Sequence, residues 1–411
     1  MKRTVLKLTT SLAALITAAA LGHAAEISGG VVKIGVLNDQ SGVYADFGGR
    51  TSVDAARMAV EDFDPKSKGL TVEIVSADHQ SKVDVASSIA RRWIELDGVD
   101  AIADLTNSAV AIAVNTIGRD LGKITLMTGP LSTAITNESC SPTGFHWGWD
   151  TYSQSVGTAS ALLQRGDKNW FILAADYAFG QAMSSELERV VTEKGGKVVG
   201  QVKHPLGASD FGSFLLRAQS SRAQIIALAN GGMDTINAIK QAGEFGIAAG
   251  GQRLAGLAVV ISDVHALGLK TAQGLIVTTP FYWDHTDQTR AFSQRFYART
   301  GRMPGVVQAA TYSSVLHYLK AVEAAGTDQG PTVAAKMREM PVQDVYASNG
   351  KIRPDGRMVT DMYLVEVKSP DQSKGEWDYF KVLSTIPAAE TAAPLSASRC
   401  PLVTADKATA K

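Results

Sequence analysis

Several things are scarce in this 411-residue chain, and each scarcity excludes something. Cysteine occurs twice, as Cys140 and Cys400, and never as CxxC. Neither sign of charge dominates, with 40 Lys and Arg against 40 Asp and Glu. No basic stripe or charge run breaks that balance, so nucleic acid and anionic membranes are poor partners. Past residue 21 no apolar run is long enough to span a bilayer. No GxGxxG follows a strand, and Walker A, HExxH and GxSxG patterns are missing. Beyond the N-terminal segment the histidines are His79, His146, His204, His265, His285 and His317, and none has a partner at metal-ligand spacing. SxxK at 348–351 straddles a hairpin turn signal, a poor seat for a nucleophile. The expectation is therefore a protein that is not an enzyme and holds no metal or cofactor.

What is present begins with residues 1–25. Lys2, Arg3 and Lys7 precede an apolar stretch from Leu8 to Leu21, and small residues follow at 22–25. That is the pattern of a cleaved secretory signal peptide. Its removal leaves 37 cations against 40 anions in the remainder. In an oxidising compartment an even pair of cysteines is a disulfide candidate, with two separate thiols as the alternative.

The rest is long enough for two domains. Val31–Leu37 reads as a buried strand, followed by a polar, glycine-bearing loop and a helix. The helix face is Val53, Ala56, Val60 and Phe63, with Thr51 and Asp54 as a capping pair. Strands at 70–77, 99–103 and 124–127 alternate with helices at 83–96 and 109–121. Such alternation means βαβ units and a parallel sheet. A second series follows Asp150, with strands at 170–174, 197–202, 225–229, 253–260 and 275–278. Helices return at 289–299, 307–325 and 332–339. Residues 342–383 change character, with strand alternation and turn signals at Asn349-Gly350 and Asp355-Gly356. The tail from Pro387 reads as loosely ordered except near Cys400.

Ligands of open α/β sheets bind beyond the carboxyl ends of the strands. Polar and aromatic residues recur there. The first loop carries Gln40, Ser41, Tyr44 and Phe47. Later strand ends carry Asp104, Thr106, Asn107 and Ser108, then Gly129, Ser132 and Thr133. The second series carries Asp176, Tyr177 and Phe179, then Asn230-Gly231-Gly232. Each is also an ordinary place for a helix cap or turn. Hydroxyls and free N–H groups at helix starts make good seats for a carboxylate.

The chain resembles the type I periplasmic solute-binding proteins of ABC importers, in the branched-chain amino acid binding group. The resemblance rests on IGV at 34–36, SG at 41–42, FG at 47–48, TGPLST at 128–133, DYAFG at 176–180, GLIVTTP at 274–280 and TY at 311–312. It covers nearly the whole chain after the signal. It implies two Rossmann-like α/β lobes with parallel sheets, joined by a three-crossover hinge, that close on a solute and deliver it to a membrane permease. The expected crossovers fall near 147–152, 281–284 and 341–346. Lobe 1 would be 27–148 plus 284–342, lobe 2 149–281 plus 345–385, and the tail 386–411. A periplasmic monomer is implied, with a ligand sensor or regulator of the same fold as the alternative.

Carried over by resemblance, Asn107, Ser108, Ser132 and Thr133 would grip a carboxylate. Tyr44 and Phe47 from the first lobe, and Tyr177 or Phe179 from the second, would supply aromatic walls. Asn230 lies at a neighbouring strand end, and Tyr152, Trp149 and Trp283 lie near the crossovers. Relatives that bind amino acids hold the ammonium with an acidic side chain, and here that position counts to Leu257. A buried ammonium without an anionic partner is costly. The expected ligand is a small carboxylate, an aromatic acid or an amino-acid-like solute.

Overall fold

A computed structural model describes residues 26–404, so the signal-peptide reading of 1–25 lies outside the described residues. The first sheet contains β1 (Val32–Asn38), β2 (Val72–Asp78), β3 (Ala101–Asp104), β4 (Ile124–Met127) and β5 (Gly144–His146). They pair in parallel in the order β2-β1-β3-β4-β5. β3 and β4 are buried along their whole length. That follows from helices on both faces and explains why these strands read as unbroken apolar runs.

The helices of this lobe are α1 (Gly49–Phe63), α2 (Val83–Glu95) and α3 (Ser108–Asp120). A helical run from 151 to 164 then enters the second lobe as α4 (Thr151–Gln154), a π-helical turn (Ser155–Ala159) and α5 (Ser160–Gln164). The second sheet contains β6 (Asn169–Ala175), β7 (Lys197–His204), β8 (Ile225–Ala229) and β9 (Arg253–Gly256), parallel in the order β7-β6-β8-β9. Around it lie α6 (Ala178–Glu193), α7 (Gly212–Ser220), α8 (Met233–Glu244), α9 (Ile261–Leu267) and α10 (Leu269–Ala272). β10 (Ile276–Thr279) begins a separate antiparallel sheet. The chain then returns to the first lobe as α11 (Asp287–Thr300), α12 (Val306–Ala325) and α13 (Gly330–Glu339). Arg295 with Asp62 and Arg299 with Glu61 tie α11 to α1. The hairpin β11 (Lys351–Ile352) and β12 (Met358–Val359) follows, then β13 (Met362–Val367) and β14 (Phe380–Ile386), which complete the sheet begun by β10.

Four expectations need correction. The third crossing, expected near 341–346, lies at 360–361. The hairpin before it extends the first sheet, because the His146 N–H donates to the Gly356 carbonyl and Arg357 binds Asp150. α1 begins at Gly49, and no Thr51 cap is made. Thr51 donates back to the Gly48 carbonyl, and Asp54 pairs with arginines. The expected strand 253–260 stops at Gly256. The tail is packed: Thr391 is buried and bonds the Thr360 carbonyl, and Arg353 holds the Ala393 carbonyl. The tail leaves the end of β14 in lobe 2 and is fixed to lobe 1 by the Cys140–Cys400 disulfide, with Cα atoms 5.7 Å apart. The Arg399 N–H donates to Asn137 beside it.

One hydrophobic cluster runs from β1 and α1 through Trp147 and Trp149 at the first crossing into β6 and β8. Among the described residues no helix is long and apolar enough to cross a membrane.

Candidate functional site

The strands of both sheets end facing one another, and the loops beyond them meet. Tyr44 and Phe47 come from the loop after β1, and Tyr177 and Phe179 from the loop and first turn after β6. All four line one small cavity, with Thr106, Ser108, Gly129 and Leu131 from lobe 1 and Gly231 and Ala258 from lobe 2. None of these residues is charged. Phe47 stacks on Trp149 at 6.0 Å and meets Tyr44 edge-on at 5.9 Å. Tyr177 and Phe179 are 6.1 Å apart. The cavity has about 220 Å³ outside atoms, but only about 10 Å³ can seat the centre of a water molecule. That is room for about one water.

Two hydrogen bonds close the cleft. The Tyr44 and Tyr177 hydroxyls bond each other. The Met233 N–H, at the start of α8, donates to the Val43 carbonyl at 3.1 Å. Gly232 makes this approach possible. Its φ is +60°, and a Cβ there would lie 2.4 Å from the Val43 oxygen. Burial raises both phenol pKa values, so both hydroxyls keep their protons at neutral pH.

The polar floor belongs to lobe 1. Ser108 Oγ accepts from the Leu131 and Ser132 N–H groups, each at 3.3 Å. Its own proton is thereby left to donate toward the cavity. Thr106 donates to Asp104 Oδ1 at 3.2 Å, so its hydroxyl presents lone pairs. Asp104 is fully buried and also accepts from Asn38 Nδ2 at 2.8 Å. Burial pushes its pKa up to about 6 against the pull of those hydrogen bonds. Asp104 and Leu105 have φ of +76° and +58°, a strained backbone for residues other than glycine. Gly129 leaves the space Asp104 occupies, since a Cβ there would lie 2.7 Å from its Oδ1.

The other expected residues are placed differently. Asn107 caps α3, its Oδ1 accepting from the Ala109 and Val110 N–H groups. Ser132 caps a short 3-10 turn, and Thr133 bonds Thr151 across the first crossing. Both line an outer part of the cleft with Gln181, Glu186 and Arg189 of α6. Asn230 is fully buried inside lobe 2, bonding His204 at 3.0 Å and accepting from Thr235 at 2.6 Å. It gives the cavity to Gly231. Tyr152 sits under the Arg189 guanidinium in a separate, wider space, where about 490 Å³ can seat the centres of water molecules. Trp283 donates to the Trp377 carbonyl and packs the second crossing. Tyr152 and Trp283 thus lie near the crossings, outside the aromatic cavity. Leu257 is fully buried, and the next residue, Ala258, lines the cavity. Thr106 and Asp104 were visible as polar residues past β3, but nothing in their spacing says that one carboxyl lies behind one hydroxyl. Among the described residues no group of three or more His, Cys, Asp or Glu could hold a metal ion.

A family model described as "Periplasmic binding protein" matches residues 31–376. A periplasmic binding protein structure from Burkholderia mallei is similar at 48% identity and a TM-score of 0.89, covering 91% of this chain and 99% of that one. A branched chain amino acid ABC transporter periplasmic ligand-binding protein from Burkholderia xenovorans LB400 is 42% identical with a TM-score of 0.81, covering 90% and 100%. The Leu/Ile/Val-binding protein homolog 6 of Brucella melitensis is 27% identical over 380 residues, covering 88% of this chain and 93% of its own length.

Proposed function

The chain belongs to the periplasmic binding protein family, and on that premise we propose that it is the solute-binding component of an ABC importer, specific for a small aromatic carboxylate. The observation that carries this reading is the cavity lining: four aromatic rings, two of them phenols, the Thr106 and Ser108 hydroxyls and no charged side chain. An α-ammonium held there would be desolvated without an anionic contact, which costs several kcal/mol or is answered by losing the proton. A carboxylate instead has the Ser108 hydroxyl to receive it. The rings supply the apolar walls, and Phe47 is steadied by Trp149.

Binding works by exchange. Parting the lobes breaks the Tyr44–Tyr177 and Met233–Val43 bonds and opens the aromatic space. The solute then replaces those contacts and draws the lobes together. The closed monomer docks on a membrane permease after export through the signal segment at 1–25.

Calorimetry against benzoate, phenylacetate, leucine, isoleucine and valine tests the reading. Binding of the aromatic acids, with the amino acids weak, is expected. Tight binding of the amino acids alone would overturn it. Edman sequencing of protein recovered from the periplasm tests export, with a first residue at 25 or 26 expected.

A further inference from the structure

We infer that the preferred solute carries a hydroxyl on the carbon next to its carboxylate, that is, an aromatic 2-hydroxy acid, because the cavity floor holds one hydrogen-bond donor and one acceptor two residues apart. This rests on the aromatic-acid reading and narrows it. Ser108 receives two backbone N–H groups on its oxygen, so its proton points to an acceptor such as a carboxylate oxygen. The Thr106 O–H donates to Asp104 Oδ1, so its oxygen is left to accept from the ligand. Asp104 is held from both sides, with one oxygen taking the Thr106 hydroxyl and the other the Asn38 amide. Gly48, having no Cβ, leaves room for that second oxygen, since a Cβ there would lie 3.1 Å from it. Benzoate or phenylacetate offers acceptors only and leaves the Thr106 lone pairs facing carbon. A 2-hydroxy acid satisfies both groups at once, and a neutral hydroxyl does so without bringing a cation into an uncharged lining. Thr106 would then be the specificity residue and Asp104 a positioning residue behind it.

The test compares matched pairs by calorimetry on the full mature chain: mandelate against phenylacetate, and 3-phenyllactate against 3-phenylpropionate. Phenylglycine and phenylalanine place an ammonium where the hydroxyl would be. The hydroxy acids are expected to bind at least tenfold tighter than their deoxy partners and than the amino acids. Thr106→Val is expected to bring the two acids of each pair to equal affinity. Asp104→Asn should also narrow the ratio. If it fails to fold, Thr106→Val decides the matter alone. Equal affinities within each pair in the wild type would overturn the inference and leave the aromatic-acid reading standing. A preference for the amino acids, or no binding by any of these acids, would overturn both.

Discussion

Tyr44 and Tyr177 stand on different lobes, and their hydroxyls share a hydrogen bond at the centre of the cleft. Under the proposed lobe closure this bond would break as the lobes part, which makes it a latch as well as part of the cavity wall. A typical buried hydrogen bond contributes about 0.5–1.5 kcal/mol net. Tyr44→Phe or Tyr177→Phe should therefore shift the open–closed balance toward open by about that amount. The double variant should shift it little further, because the two hydroxyls make one bond. Distances between spin labels on α2 and α7 would report the shift. An unchanged distribution in both variants would show that the pair does not hold the lobes.

Gly232→Ala should weaken binding of the cognate acid by tenfold or more with a small loss of thermal stability. The added Cβ would meet the Val43 oxygen at 2.4 Å, and φ is +60°. The clash arises where the lobes meet, whereas the backbone strain, about 1–3 kcal/mol, is local. Calorimetry and a melting curve on one preparation separate the two effects. Full affinity would mean that closure does not need this approach.

Asn107 and Ser108 are neighbours with different work. Asn107→Ala removes a cap and should cost about 1 kcal/mol of stability. Ser108→Ala should leave the melting temperature nearly unchanged and weaken acid binding. Denaturant titration beside calorimetry would distinguish them, and the reverse pattern of losses would refute both roles.

Asp263 predicts a pH effect. It is fully buried at the start of α9, with one oxygen accepting the Val260 N–H. Burial pushes its pKa up to about 8. The folded state therefore holds this proton more tightly than the unfolded state does. Its contribution to stability is full below the unfolded value near 4 and is lost as pH rises toward 8. Asp263→Asn keeps an acceptor for the cap and should flatten the stability profile over that window. Parallel profiles for the variant and the wild type would contradict this.

The two sheets were legible because their central strands are buried on both faces and so appear as short apolar runs between amphipathic helices. The β11–β12 hairpin was marked by its Asp355-Gly356 turn, but its docking was not, because the bridge from Arg357 to His146 joins residues some two hundred positions apart. Tyr44, Phe47, Tyr177 and Phe179 were marked by lying past strand ends, and they meet. Asn107 and Asn230 lie past strand ends too, yet their amides serve a helix start and a buried histidine. A strand-end position does not say which way a side chain turns. The Asp104–Thr106 pairing depends on a left-handed backbone at Asp104 that no residue type announces.

The Cys140–Cys400 bridge has a topological consequence. It makes residues 140–400 a covalent ring that contains all of lobe 2 and every crossing, while residues 26–139 hang from it as a branch. A single cut by a protease anywhere inside the ring opens it without freeing a fragment. The nicked protein would migrate as one species on a denaturing gel until a reductant is added, and would then fall into two.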